Sequence, residues 1–139
     1  MSKYVLDASA LLALMNNEAG AQRVRDILGE SVIGAVNVSE TFGKLVSAGM
    51  SLEDARTSIE LLNLEVIPFD TELVYAAGAL VSRTKTLGLS LGDRACLTLG
   101  VALNRTVVTA DLLWRKLKLE VTVEVIRGNA PPLPEPENS

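Results

Sequence analysis

Apolar residues fall into two rhythms along this chain. Short, nearly unbroken apolar runs occur at residues 3–7, 31–36, 64–68 and 106–108, each of a length and Val/Leu/Ile content that suits a buried strand. Residues 121–126 alternate enough to read as an edge strand. Between these runs the spacing turns helical. It predicts helices over 8–15 with Asp7 or Ser9 as cap, 19–28 closed by Gly29, and 38–48 capped by Asn37 or Ser39 and ended by Gly49. Further helices are predicted over 51–62 from a capping-box-like Ser51-Leu-Glu-Asp54, 70–87 stopped by Gly88, 90–104 and 111–118. Strands that alternate with helices and carry little polar interruption predict a three-layer α/β/α sandwich around a mostly parallel sheet. One domain over 1–127 is expected, followed by an acidic, proline-rich tail over 128–139 that should be disordered.

The segment 90–104 changes the picture. Leu91, Ala95, Leu97, Leu99, Val101, Ala102 and Leu103 cover most of a helix circumference and predict a largely buried helix. Asp93 sits on the narrow stripe that remains, with Gly100 and Asn104. A carboxylate on a buried helix is costly unless it is paired, hydrogen-bonded or bound to a metal. In a parallel α/β fold the site lies at the carboxyl ends of the strands. Asp7 and Asp111 both follow strands, and Glu40 lies in the first turn of a helix that follows one.

Composition narrows the chemistry. The 139 residues contain no histidine and one cysteine, which removes Ser-His-Asp and Cys-His catalysis, histidine general bases and internal disulfides. Cys96, inside an apolar helix, reads as a small core residue in a reduced compartment. Oxygen ligands suffice for a hard ion such as Mg²⁺ or Mn²⁺. No apolar run reaches membrane-spanning length and no basic leader precedes one, so neither a membrane segment nor export is expected. The net charge of −4 argues against a nucleic-acid binder on bulk charge alone. The charge is uneven, however: residues 1–70 hold ten acids and five bases, whereas 71–128 hold five acids and eight bases. That second half is either a modest basic face or a set of solvated helix faces.

Asp7, Glu40, Asp93 and Asp111 together would repel one another unless cations held them. One or two Mg²⁺ or Mn²⁺ ions would do so and could activate water against a phosphate. Ser9 and Thr109 add hydroxyls beside Asp7 and Asp111. Each acid also has a structural reading: Asp7 and Asp111 as caps, Glu40 in a solvated pair with Lys44, Asp93 paired with an arginine.

The segments Val5-Leu-Asp-Ala-Ser9, Val36-Asn-Val-Ser-Glu40, Leu89-Ser-Leu-Gly-Asp-Arg-Ala-Cys-Leu97 and Val108-Thr-Ala-Asp-Leu-Leu-Trp114, in this order, closely resemble the PIN-domain ribonucleases, and within them the VapC toxins of toxin–antitoxin pairs. The resemblance covers about residues 3–127. It implies a cytoplasmic Mg²⁺- or Mn²⁺-dependent endoribonuclease that leaves a 5′-phosphate and a 3′-hydroxyl. It carries over Asp7, Glu40, Asp93 and Asp111 as the acidic quartet, with Asp7 and Asp93 as principal metal ligands and Ser9 and Thr109 in support. It further implies an RNA substrate, a homodimer and an antitoxin whose segment crosses the acidic groove. A haloacid-dehalogenase-like phosphatase fits less well, since Ser9 stands where a second aspartate belongs. A receiver-type domain lacks its acidic pair. A catalytically silent binding module, with the acids as caps, predicts no effect of divalent ions.

Overall fold

Five short strands, β1 (Tyr4–Leu6), β2 (Ser31–Gly34), β3 (Glu65–Ile67), β4 (Thr106–Thr109) and β5 (Val123–Val125), pair in parallel in the order β3-β2-β1-β4-β5. They belong to a computed structural model that describes residues 2–127, so the tail expected over 128–139 lies outside the described residues. Parallel neighbours cannot be joined by a hairpin, and helices supply the crossovers. These are α1 (Ala8–Met15), α2 (Ala21–Ile27), α3 (Ala35–Ser47), α4 (Leu52–Glu60), α5 (Thr71–Ala79), α6 (Val81–Thr84) and α7 (Leu91–Leu103). The architecture is the expected α/β/α sandwich.

The pleat divides the core. Leu6, Ile33 and Val108 point to one face, where they meet Leu11 of α1 and Val24 and Ile27 of α2. Val5, Val32 and Val107 point to the other and pack under Cys96, Leu97 and Leu99 of α7, with Trp114 closing that side. Strands buried on both faces have no polar alternation, which is why their sequences are continuous apolar runs. Helix α3 packs against α1 of one layer, α7 of the other, and α4. It therefore crosses the carboxyl edge of the sheet and ties the layers together. On the α2 face, the Arg23 guanidinium stacks over Tyr4 at 5.6 Å and donates to both Glu124 oxygens at 2.7 and 3.0 Å, pinning α2 to β1 and β5. No single helix among the described residues is long and apolar enough to cross a membrane.

Several boundaries differ from the pattern. The run 31–36 predicts a strand through Val36 with Asn37 or Ser39 as cap; β2 stops at Gly34, which itself occupies the cap position, and Asn37 is inside α3. Nothing in an apolar Gly-Ala-Val distinguishes a strand end from a buried first helical turn. The predicted helix over 70–87 is divided into α5, α6 and a 3₁₀ turn over Lys85–Leu87. There the Thr84 hydroxyl donates to the Leu80 carbonyl (2.8 Å), and Arg83 reaches the Glu120 carboxylate and the Lys118 carbonyl. Those ties draw the segment toward the approach to β5. Helix α2 begins at Ala21, after Gly20 at φ +94°, and 111–118 contributes only a 3₁₀ turn, Leu112–Lys116. Helix α7 is less buried than its composition predicts: Leu91 and Val101 are 50% and 42% exposed.

Candidate active site

In a sheet ordered 3-2-1-4-5 the chain leaves β1 toward one neighbour and reaches β4 on the other side, which opens a crevice between the carboxyl ends of β1 and β4. Asp7 follows β1 and Thr109 ends β4. The two side chains meet there: the Thr109 hydroxyl donates to Asp7 Oδ2 at 2.5 Å. Ser9 Oγ lies 2.8 and 3.0 Å from the two Asp7 oxygens, and the Ala10 backbone N–H donates to Oδ1 at 2.8 Å, which makes Asp7 the cap of α1.

The surrounding backbone donors fix the direction of these bonds. The Ala110 N–H donates to Ser9 Oγ (2.9 Å) and the Asp111 N–H to Thr109 Oγ1 (3.0 Å). Both hydroxyls accept from the backbone after β4 and so have their protons to give to Asp7. Asp7 is held as an acceptor while being only 4% exposed. Burial is the larger influence and pushes its pKa up to about 6, against the bonds from Thr109, Ala10 and Ser9; the negative charge of Asp93 pushes the same way as burial.

Asp93 takes one of the routes open to a carboxylate on α7, hydrogen bonding. It is half-buried, and its carboxylate accepts the Ser90 N–H (3.0 Å) while its own N–H donates to Ser90 Oγ (3.1 Å), a complete capping box. A carboxylate at a helix N-terminus is favoured by the helix dipole. The acid that burial strains is Asp7.

Glu40 is brought to the same place by α3. Its Oε1 accepts from the buried amide of Asn37 at 2.8 Å, and the same Asn37 nitrogen donates to the Gly92 carbonyl at 3.1 Å. A Cβ on Gly92 would overlap all three carboxyl atoms of Glu40, so only glycine leaves room for that carboxylate on the first turn of α7. The anticipated Glu40–Lys44 pair is replaced by this packing. Beneath the acids lies Cys96, fully buried, its thiol pushed well above the usual range by burial and then by the charges of Asp7, Asp93 and Glu40. It is the small core residue expected.

The fourth acid, Asp111, accepts the Leu113 N–H at 2.9 Å as cap of the 3₁₀ turn. It lies beside Ser9 at the same edge but not among the charges acting on Asp7 and Cys96. Among the described residues no three acidic or sulfur side chains gather closely enough to ligate one metal ion together. The donor chemistry nonetheless suits a hard divalent ion: carboxylates and hydroxyls only, around a buried aspartate whose pKa burial and, to a lesser extent, the charge of Asp93 raise and a cation would lower. The ion pairs Lys3–Glu30, Arg23–Glu124, Arg56–Glu60, Arg83–Glu120 and Arg127–Glu18 draw on none of the four acids. Asn37 and Gly92 are the site residues that the pattern alone misses. Both lie inside legible motifs, but the pattern reads Asn37 as a cap, and nothing local marks Gly92 apart from its neighbour Asp93.

Comparison with known proteins agrees with this fold. Residues 4–119 match the family model described as PIN domain. Among solved structures, the chain is similar to VapBC from Salmonella typhimurium bound to DNA (TM-score 0.70, 17% identity, 90% of this chain and 98% of that one). It is also similar to VapBC2 from Rickettsia felis bound to a promoter DNA fragment (0.68, 20%, 88% and 97%) and to VapBC-5 from Mycobacterium tuberculosis (0.59, 18%, 91% and 99%). At these identities the likeness establishes the fold. No curated protein matches the chain by sequence.

Proposed function

The chain belongs to the PIN-domain family, and from that premise we propose that it is a Mg²⁺- or Mn²⁺-dependent endoribonuclease, the toxin of a toxin–antitoxin pair acting in the cytoplasm. The observation that carries the reading is the buried Asp7 carboxylate, held as an acceptor by Ser9 and Thr109 while the charges of Asp93 and Glu40 bear on the same pocket. Asp7 and Asp93 would hold the ion, with Glu40 and Asp111 completing the acidic rim. When bound, the ion would make a water easier to deprotonate for attack on phosphorus and would offset the charge of the phosphodiester. The chain's own residues do the rest. Ser9 and Thr109 fix the orientation of Asp7 and keep it an acceptor, Asn37 aims Glu40, and Gly92 admits it. The VapBC names of the similar structures support a cognate antitoxin as partner, and the family resemblance supports a homodimer.

A second reading has an observation of its own: Asp7, Asp93 and Asp111 each make a capping bond, as a catalytically silent module would require. The two are separated by incubating the purified protein, free of antitoxin, with a pool of cellular RNAs in Mg²⁺, Mn²⁺ or chelator. The nuclease reading expects cleavage with either ion, none in chelator, and loss in Asp93→Asn. Cleavage that persists in chelator or in the variant sinks it.

A further inference from the structure

Two clefts open on either side of Ser9. One, of about 230 Å³, is bounded by Ser9, Asn16, Glu18, Lys44 and Arg127. The other, of about 390 Å³, is bounded by Ser9, Ala110, Asp111 and Arg127. Because Ser9 and Arg127 border both, the clefts form one groove with these two residues at its waist. Ser9 is in turn bonded to both oxygens of Asp7. The groove thus runs past the residue that binds the buried carboxylate, although Asp7 itself lines neither cleft.

We propose that this groove carries the RNA backbone, with Arg127 holding the phosphate next to the scissile one and Lys44 a phosphate further along. The inference rests on the nuclease reading and names the residues that hold its substrate. A polyanion approaching Asp7, Glu40, Asp93 and Asp111 is repelled, and a chain of net charge −4 offers no general attraction. Cations at the groove itself are therefore required, and Arg127 and Lys44 are the ones that border it. Arg127 is available for the task. Its pair with Glu18 is long, 3.6 Å, with both side chains about half exposed, and such pairs contribute little. Exchanging Glu18 for a phosphate swaps one anionic partner for another that guanidinium binds well. Lys44 is freed by the packing of Glu40, four residues earlier on α3, against Asn37 and Gly92.

The test is the salt dependence of binding, read by anisotropy of a fluorescein-labelled single-stranded oligoribonucleotide in chelator, so that the probe stays intact and the acidic site is left unsubstituted. Each phosphate contact contributes about 0.7 to the slope of log K against log salt for a single strand. Arg127→Ala and Lys44→Ala should each flatten the slope by about that amount and weaken binding several-fold, Arg127→Lys should restore most of it, and Lys3→Ala, at the opposite sheet edge, should change neither. Melting temperatures within about 2 °C of the parent exclude unfolding as the cause. Slopes unchanged in both alanine variants overturn the proposal, as they would if the groove received an acidic polypeptide instead. The two readings fail separately. Metal-dependent cleavage with an unaltered KM in Arg127→Ala removes the groove assignment alone. RNA binding with an Arg127-dependent slope, but no cleavage by the unsubstituted protein, removes the nuclease assignment alone.

Discussion

Replacing Asp7 by asparagine should stabilise this protein at neutral and alkaline pH while abolishing its activity. Burial lifts the Asp7 pKa from 3.8 to about 6 even though three hydrogen bonds oppose it. At about 1.4 kcal/mol per unit, the ionised carboxylate costs the folded state about 3 kcal/mol relative to the unfolded chain. The sign follows from proton binding. Between pH 3.8 and about 6 the folded state holds this proton more tightly than the unfolded state, so stability is greatest below the window and falls as pH rises through it. Asparagine keeps the acceptor for the Ala10 N–H and has no charge to bury, but its amide nitrogen cannot accept from the Thr109 hydroxyl, which offsets part of the gain. Urea unfolding in chelator at a series of pH values should show Asp7→Asn more stable by about 1–3 kcal/mol at pH 8, converging with the parent near pH 4. A variant less stable than the parent at pH 8, or two curves that run parallel through the window, would refute the assignment of burial as the dominant influence.

Other outcomes follow from the same geometry. Gly92→Ala should fold with a melting temperature within a few degrees of the parent, because the added methyl meets only the movable end of Glu40, yet cleave RNA at least about tenfold more slowly. Asn37→Ala should cost about 1–3 kcal/mol in chemical unfolding and slow cleavage too, since it removes the donor that aims Glu40. Gly100→Ala should destabilise by about 1–3 kcal/mol with no direct effect on the site, because its Cβ would overlap Val107 Cγ2, between α7 and the sheet. A gain in stability there, as helix propensity alone would give, would contradict the close packing.

Much of this is legible in the sequence because the strands are short apolar runs and the acids follow them. The continuous Tyr4-Val-Leu6 and Thr106-Val-Val108 runs announce a parallel sheet, and the position of Asp7 after β1 announces its functional edge. Ser9 and Thr109 are recognisable by adjacency to Asp7 and Asp111. What escapes depends on tertiary contact. The role of Asn37 requires knowing that α3 begins at Ala35 and crosses to α7, and the role of Gly92 requires knowing whose carboxylate it faces. The break after α5 coincides with ties from Arg83 to Lys118 and Glu120, far along the chain, which no local pattern reveals. Composition overstates the burial of α7 because it cannot distinguish an apolar face against the sheet from one turned to solvent, as at Leu91 and Val101.

The most direct measurement is calorimetric titration of Mn²⁺ into the purified protein near pH 7.5. If the acids at the carboxyl edge of β1 share one hard ion, saturable binding is seen in the parent and is lost in Asp7→Asn and in Asp93→Asn alike. No saturable binding in the parent, or undiminished binding in both variants, would mean that these acids serve the fold alone.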